Sequence, residues 1–349
     1  MKRNVIQSAE RKNCVDTGSL YMKDSLEKEK RKGSVKQTIA DLSKLTLNDQ
    51  LYKEGTECLN KQSFSGSLII KEQLGKGGFG CVFDATYNND AVIVKSSLTE
   101  DKNKYAIQEY KYLKRLQEGS FVGIPKIGSW FVDDGKQSFI MEKLGTDLRK
   151  MQKKTKEKRF SLETTFQIAL KVLQILKCIH SCGILHNDIK PENLMTGLNN
   201  PNTIYLIDFG SATNYMKDGE HIPIGAIKGK FIGTLGFSSL KSLERRTLSR
   251  RDDLESLAYT LIKLGTGKLP FIIRGKKIGG KEKVKLLIEQ KKKSSEEICA
   301  GMCREFVIFL DEVRKLTFEQ KPQYDRYSRM FEKLLNQRGF EANGQMNWN

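Results

Sequence analysis

Four kinds of reactive side chain lie within one short polar stretch, Gly183 to Thr196, which reads GILHNDIKPENLMT. The carboxylate of Asp188 could accept a proton from a hydroxyl, and Lys190 could neutralise negative charge that develops during a reaction. Asn193 could ligate a metal ion, and His186 is a second candidate base. Such a set is suited to phosphoryl transfer. The rest of the chain is therefore expected to supply sites for a nucleotide, a metal ion and a substrate.

A glycine-rich segment far upstream has the spacing of a phosphate-binding loop. It reads Gly75-Lys76-Gly77-Gly78-Phe79-Gly80 and is followed by Val82. Glycines allow backbone N–H groups to approach phosphate oxygens, and Phe79 at the tip could cover them. Because Cys81-Val82-Phe83 continues as a strand and does not open a helix, the pattern favours a kinase-type loop over a dinucleotide-binding fold.

Lys95 ends the apolar run Ala91 to Lys95, where burial of a cation is costly unless an anion meets it. In the predicted helix Lys104 to Gln117, Glu109 falls on the stripe formed by Ala106, Leu113 and Leu116. A carboxylate on an apolar stripe needs a buried cation. We therefore predict an ion pair between Lys95 and Glu109, with an exposed Lys95 at a frayed strand end as the alternative.

Alternation and turn residues predict strands around these segments. The expected strands are Leu68 to Leu74, Cys81 to Tyr87 and Ala91 to Lys95, then a hairpin of Ile127 to Val132 and Ser138 to Met141. The run Met141-Glu142-Lys143-Leu144-Gly145 then leads out of the sheet, and its backbone could pair with a purine edge.

The downstream half is predicted to be mainly helical. Leu162 to Ile179 is apolar nearly all round, so it should form the buried axis that delivers the polar stretch. Thr203 to Ile207 should be a buried strand that ends at Asp208, which could hold Mg²⁺ beside Asn193. We expect Ser211 to Gly233 to be a long substrate-facing loop. Further helices are predicted over Arg250 to Leu264, Phe306 to Leu316 and Tyr324 to Leu335, with Lys276 to Lys293 as a helix or loop whose basic face is solvated.

The composition limits the broad class. With 38% hydrophobic and 30% charged residues, the 349-residue chain should be globular and soluble, and its net charge of +19 predicts attraction to polyanions. No zinc-finger, homeodomain or RNP-type pattern accompanies the charge, so no stable nucleic-acid complex is expected. The chain lacks an apolar run of about 20 residues and a signal core, so we expect no membrane span and an intracellular location, cytoplasmic and/or nuclear.

The seven cysteines are expected to be reduced thiols, as is usual for intracellular proteins. Cys178, His180, Cys182 and His186 lie close together but lack the paired Cys-x-x-Cys spacing of zinc sites, which favours packed helix residues. Residues 1–66 are rich in Lys, Glu, Ser, Asn and Gln and are expected to be a disordered polar extension.

The motifs occur in the order of the protein kinase signature set. The chain resembles the casein kinase 1 family of serine/threonine kinases in particular, over about residues 68–348. The segments that carry this closer similarity are Met141 to Gly145, His221-Ile222-Pro223, Gly233-Thr234, Ser249 to Leu257 and Leu269-Pro270-Phe271.

The resemblance implies an α+β, two-lobed protein kinase fold over residues 67–345. A small β-rich lobe with one main helix (about 67–142) would precede a larger, mainly α-helical lobe (about 146–345). ATP and Mg²⁺ would bind between the lobes, with Met141 as gatekeeper and the backbone groups of Glu142 and Leu144 on the adenine. The implied nucleotide-site residues are Leu74, Gly75, Gly77, Gly78, Phe79, Gly80, Val82, Lys95, Glu109, Met141, Glu142 and Leu144.

The same resemblance implies the roles of the reacting groups. Asn193 and Asp208 would hold Mg²⁺, and Asp188 would orient and deprotonate a substrate hydroxyl. Lys190, with Thr234 beside it, would contact the transferred phosphate. Asp253 would anchor the catalytic loop from its helix.

Departures from the family pattern carry their own predictions. Asn187 stands where the family usually has an arginine that pairs with a phosphorylated activation loop, so activity should need no such phosphorylation. Gly236 lies where the family has a phosphate-binding arginine, so dependence on primed substrates should be weakened. Lysines at 228, 230, 281, 283 and 285 would still favour acidic substrates. The missing Ala-Pro-Glu is normal for this family.

Other interpretations remain open from the residues. A catalytically weak or inactive kinase-like scaffold would keep the fold without the transfer, and a basic nucleic-acid-binding protein would keep the charge with a vestigial nucleotide site. A relative of vaccinia-related kinases is a milder alternative. We expect a monomeric enzyme whose partners are acidic protein substrates.

Overall fold

The computed structural model describes residues 67–78, 80–225, 231–271 and 280–348. The expected extension 1–66, Phe79, Lys228 and Lys230 lie outside the described residues, as does the start of the basic segment predicted from Lys276.

The sheet lobe contains strands β1 (Leu68–Lys76), β2 (Gly80–Tyr87), β3 (Asp90–Ser97), β4 (Ile127–Asp133) and β5 (Lys136–Glu142). They pair antiparallel in the order β1-β2-β3-β5-β4. Asn88 and Asn89 turn β2 into β3, and Asp134 and Gly135 turn β4 into β5, all with positive φ. Such left-handed pairs suit tight hairpins because their twist matches that of the strands. The predicted strands are present and run slightly longer than their apolar runs.

The two faces of this sheet bury different residues. On the face turned away from the cleft, buried side chains such as Phe83, Val94 and Ile140 form a small separate core. The other face covers helix α1 (Asn103–Glu118), whose buried side includes Glu109 and Leu113. This helix lies where the spacing of apolar residues predicted it. Its buried acid therefore faces the sheet.

The helical lobe contains α2 (Leu148–Lys154), α3 (Leu162–Ser181), α4 (Leu240–Leu243), α5 (Arg250–Thr266), α6 (Gly280–Lys291), α7 (Ser295–Ile298), α8 (Arg304–Lys315) and α9 (Tyr324–Gln337). Helices α3 and α5 lie at the centre of the main core and are buried along most of their lengths. At the start of α5 the Ser249 N–H donates to Asp252 Oδ2 at 2.8 Å, and Gly267 at φ 80° ends the helix. The predicted buried axis and the three later helices are therefore present.

Short strand pairs tie the connecting segments to this helical frame. They are β6 (Ile184–Leu185) with β9 (Thr213–Asn214), β7 (Leu194–Thr196) with β8 (Ile204–Leu206), and β10 (Met216–Lys217) with β11 (Glu220–His221). The segment predicted as a long loop from Ser211 thus contains ordered pairings. The polar residues His186 to Asn193 lie between β6 and β7, so strand pairs hold both ends of this segment.

The basic segment predicted with a solvated face is corrected in one respect. It forms helix α6, and its exposed lysines include Lys281, Lys283 and Lys285. Lys291 at its end is instead fully buried. The rings of Tyr259 and Phe271 cover it, and the periodicity of the basic segment could not indicate this contact.

The predicted two-lobed α+β architecture is confirmed. Residues 143–147 link the lobes, and Gly145 donates its N–H to Thr196 O at 2.8 Å. A Cβ at Gly145 would lie 2.4 Å from Thr196 Oγ1, so this close approach requires glycine. Across the part of the chain that the structure describes, no helix combines the length and the apolar character needed to cross a membrane.

Candidate active site

The glycine-rich turn connects β1 to β2. Gly77 N–H donates to Gly80 O at 2.8 Å, which closes the turn. No atom lies within 4 Å of a Cβ built on Gly75 or Gly78, whereas one on Gly80 would lie 2.5 Å from Ser96 O. Gly80 thus permits close packing on β3, and Gly75 and Gly78 have open space beside their backbones. Leu74 just before it is exposed.

Cross-strand register places one row of residues on the cleft face of the sheet. Val82 pairs with Lys95, and Lys95 pairs with Phe139. Residues directly opposite in antiparallel strands share a face. Lys95 therefore projects from the cleft face beside Val82, as the sequence predicted.

The Lys95 ammonium joins the two lobes. It lies 2.6 Å from Glu109 Oε2 and 2.9 Å from Asp208 Oδ1, so the predicted Lys95–Glu109 ion pair is present. Burial alone would lower the pKa of Lys95, but the charges of Asp208 and Glu109 raise it. Lys95 lowers the pKa of Asp208 to about 2. The lysine and Asp208 are therefore both charged at neutral pH.

Asp208 is held in an unusual backbone conformation at the end of the β8 segment. Its φ of 69° and ψ of 66° lie in the left-handed region, which Asp tolerates better than most residues. Phe209 is fully buried and its ring packs edge-on against His186, with centroids 4.9 Å apart. The buried phenylalanine fixes the turn while 40% of the Asp208 side chain stays exposed to the cleft.

Asp188 lies at the centre of the polar stretch with only one oxygen occupied. Lys190 Nζ lies 2.6 Å from Asp188 Oδ2 and 2.9 Å from Thr234 Oγ1. Asn193 Nδ2 donates to Asp188 O at 2.9 Å and to its Oδ2 at 3.2 Å. Asp188 Oδ1 is buried without a hydrogen-bond partner among the described residues. Buried polar atoms are normally paired, so this oxygen has capacity for a ligand.

Asp253 on α5 anchors the backbone of this stretch. Its carboxylate accepts the N–H groups of His186 and Asn187, each at 2.8 Å. His180 Nε2 lies 2.9 Å from Asp253 Oδ2, and its Nδ1 contacts Tyr324 Oη. These bonds make His180 a structural residue rather than a zinc ligand.

His186 also has a structural environment. Its Nε2 donates to Ile207 O at 3.0 Å, and its Nδ1 accepts the Asp188 N–H at 3.3 Å. Burial lowers the pKa of His186, which keeps the ring neutral. Both ring nitrogens are engaged, so His186 orients the loop and neither nitrogen is free to accept a proton from a ligand.

Asn187 adopts a φ of 65°, in the left-handed region where Asn is enriched. Its Nδ2 donates to Ser211 O and Thr213 Oγ1, each at 2.9 Å. The residue that departs from the family pattern therefore ties the catalytic loop directly to the segment after Asp208, with a neutral donor.

The linker between the lobes supplies the proposed adenine edge. Met141 is buried and pairs with Ile93 across the sheet. Glu142 N–H donates to Lys126 O at 2.8 Å, so this N–H is already paired within the protein. Leu144 is buried beside it.

Two residues of this cleft face were missed from the sequence. Ile93 and Asp84 pair with one another on the face that carries Lys95, and Lys143 forms a 2.6 Å ion pair with Asp84. The alternation of side chains along β3 could have identified Ile93, because residues two apart on a strand share a face and Ile93 is two residues before Lys95.

The groups present fit a nucleotide with Mg²⁺. Lys95, paired with Asp208, lies on the strand next to the glycine turn, which has open space beside Gly75 and Gly78. The Asp208 carboxylate is ionised and partly exposed. The Asn193 side chain engages its amide nitrogen and leaves its amide oxygen for a ligand. Carboxylate and amide oxygens are the ligands that Mg²⁺ prefers. Comparison with protein families matches the protein kinase domain over residues 68–336, well over half of the 349-residue chain. The chain therefore belongs to the protein kinase family.

Proposed function

We propose that this protein is an active serine/threonine kinase that acts on acidic protein substrates in the manner of casein kinase 1. The observation that carries the proposal is the arrangement at Asp188. One carboxylate oxygen is fixed by Lys190 and Asn193, and the other is buried and unpartnered. A hydroxyl entering the site would complete that pairing.

The chain's own residues supply positioning and charge. Mg²⁺ and ATP, when bound, supply the activated phosphoryl group. Lys95, aligned by Glu109, would hold the nucleotide phosphates, and Asp208 and Asn193 would hold the metal. Because the pKa of Asp208 is lowered to about 2, its charge is constant across physiological pH.

Asp188 Oδ1 would orient the substrate hydroxyl and take its proton. Lys190 lies between this carboxylate and Thr234, so its charge faces the place where negative charge develops. Both roles need a dry, rigid loop, and the bonds to Asp253 provide the rigidity.

Preference for acidic substrates is supported by exposed lysines of α6, namely Lys281, Lys283 and Lys285. Weak dependence on a priming phosphate is supported by Gly236, which has no side chain to bind one. The preference for Ser and Thr rests on the resemblance of the motifs to casein kinase 1.

The test is phosphate transfer from Mg·ATP to casein and to a peptide library. Asp188→Asn keeps the shape of the site but removes the proton acceptor, so we expect kcat to fall by about 10²–10⁴ with ATP binding retained. Asp90→Asn, at an exposed position, should match the wild type. Substrates with acidic residues and no phosphoserine should be enriched.

A wild-type protein that binds ATP but transfers no more phosphate than Asp188→Asn would be a scaffold, and the proposal would fail. Strong dependence on a phosphoserine upstream of the target would contradict the proposed substrate class alone.

A further inference from the structure

Lys291, the last residue of α6, has an environment unlike that of the other α6 lysines. It is fully buried, and its Nζ donates to Gly236 O at 3.1 Å and also to Ser238 O. The same ammonium lies 4.1 Å from the ring centroid of Tyr259 and 4.5 Å from that of Phe271. Carbonyl oxygens and aromatic faces thus surround it.

The charged groups nearest this ammonium come from α5 and α8. Glu255 on α5 bonds the Tyr259 hydroxyl at 2.5 Å, and Arg314 on α8 donates to the Lys291 carbonyl at 2.6 Å. Among the described residues, no carboxylate forms an ion pair with Lys291 itself. A buried cation is costly, so the carbonyls and ring faces must offset its loss of hydration.

The carbonyls belong to a turn that carries a residue of the proposed active site. Phe237 N–H donates to Thr234 O at 2.9 Å, and Ser238 Oγ donates to the same oxygen at 2.9 Å. On its other side the turn abuts the catalytic loop, because a Cβ on Gly233 would lie 2.6 Å from Asn187 O. The turn is therefore held between Lys291 and the catalytic loop.

The turn needs an external tie. Gly236 at its tip has the greatest backbone freedom of any residue and loses most entropy when fixed. Downstream, Ser239 Oγ donates to Asp252 at 2.6 Å and Leu240 N–H donates to Glu255 at 3.0 Å, so α5 secures the exit. Among the described residues, Lys291 is the side chain that spans the tip, by bonding both Gly236 O and Ser238 O.

We propose that Lys291 is a positioning residue of the substrate site, which fixes the 234–238 turn and thereby holds Thr234 against Lys190. The inference rests on the proposed kinase function, since it assigns the turn to substrate binding. Being buried, Lys291 acts through the turn and does not touch substrate. Its loss should weaken peptide binding and transfer and leave the nucleotide site intact.

The test compares Lys291→Met with Lys292→Met in the full chain. Methionine is long, flexible and apolar, so it should fill the aromatic surroundings and keep the protein folded. We expect Lys291→Met to raise the KM for an acidic peptide about tenfold, the scale of leaving one buried hydrogen-bond acceptor unpaired, and to lower kcat. The Kd of Mg·ATP should not change. Lys292 is exposed, so its variant should match the wild type.

Hydrogen exchange at the Phe237 and Ser238 amides gives a second readout that does not depend on activity. Both amides donate to Thr234 O and should exchange faster in Lys291→Met than in Lys292→Met. Lys291→Arg, which keeps a cation with several donors, should restore protection and peptide KM in part.

Unchanged peptide kinetics and unchanged amide protection in Lys291→Met would overturn the positioning role. A parallel loss of ATP affinity and thermal stability would also overturn it, because the lysine would then support the whole fold. If no variant transfers phosphate but the two amides lose protection, the proposed function fails while the tie from Lys291 to the turn stands.

Discussion

Lys95 in the sheet lobe is mostly buried and Lys291 in the helical lobe is fully buried, but their neighbours differ. Lys95 meets two carboxylates, from Glu109 and Asp208. Lys291 meets two backbone carbonyls and two aromatic rings. Acidic neighbours outweigh burial and raise the pKa of Lys95, whereas burial lowers the pKa of Lys291 to about 7.

The difference separates a ligand-binding cation from a structural one. Lys95 stays charged at any physiological pH and faces the open cleft, so it can attract the phosphates of a nucleotide. Lys291 is closed off from solvent, and its hydrogen-bond donors are directed at the protein's own backbone. Buried charge thus indicates a binding role only where the cation also reaches a cleft.

The largest expected effect follows from removing the cation of the cleft. Lys95→Met leaves the Glu109 and Asp208 carboxylates facing each other without compensation. We expect kcat/KM to fall by about 10²–10³, the scale of losing one positioned charged donor. Stability should fall by on the order of a few kcal/mol, as when one partner of a buried ion pair is removed. Steady-state kinetics and urea unfolding measure the two effects.

Lys71→Met is the matched control on the same sheet, because Lys71 is exposed on β1. It should change neither quantity. A Lys95→Met enzyme with near wild-type kcat/KM would show that Lys95 does not bind the nucleotide. The contrast with Lys291 would then lose its basis.

The sequence predicted Lys95 and not Lys291, for a physical reason. Lys95 ends an apolar strand, and its partner Glu109 interrupts an apolar helix stripe, so local periodicity records both burials. Lys291 lies in a run of basic residues, and the rings that bury it come from Tyr259 and Phe271. Only tertiary packing brings those rings to it.

The contrast between local sequence pattern and tertiary packing also explains which other elements were predicted and which were missed. The polar stretch Gly183 to Thr196 was singled out because residue types and order define it, and α3 was predicted because its apolar residues are continuous. Helix α2 was missed because its sequence, LRKMQKK, is mostly polar. It begins because Asp147 caps it by accepting the Lys150 N–H at 2.8 Å.

The second prediction uses pH to sharpen the contrast between the two lysines. The pKa of Lys291 falls from 10.5 to about 7 on folding, so the unfolded chain binds more protons between these values. Stability therefore rises as pH increases from about 7 and is lost as pH falls back through that range. The pKa of Lys95 is raised, so its contribution stays constant over the same window.

Urea unfolding at several pH values between 7 and 10 measures this effect. We expect the wild type to gain up to a few kcal/mol relative to Lys291→Met as pH rises, while Lys292→Met follows the wild type. The variants share all other titrating groups, so these cancel in the difference. Parallel curves for wild type and Lys291→Met would show that Lys291 keeps its charge despite burial.

The smallest expected effect concerns Asn187, a neutral donor that ties the segment Ser211 to Thr213 to the loop between β6 and β7. Its amide already bonds Ser211 O and Thr213 Oγ1, so no phosphate is needed to hold these residues. Phosphatase treatment should leave the activity of the wild type unchanged. Asn187→Gly keeps the positive φ but removes the amide, and should cost on the order of 1 kcal/mol, or a severalfold loss of kcat.

Asn89→Gly is the control for that substitution, since Asn89 has a φ of 71° in an exposed turn. It should not affect kcat. If phosphatase abolishes the activity of the wild type, a phosphorylated residue holds the segment and the amide of Asn187 is insufficient. If Asn187→Gly alone loses activity, and does so whether or not it is phosphatase-treated, a neutral donor replaces the usual pairing of arginine with phosphate. Both ties would then end on backbone carbonyls, Ser211 O for Asn187 and the Gly236 and Ser238 oxygens for Lys291.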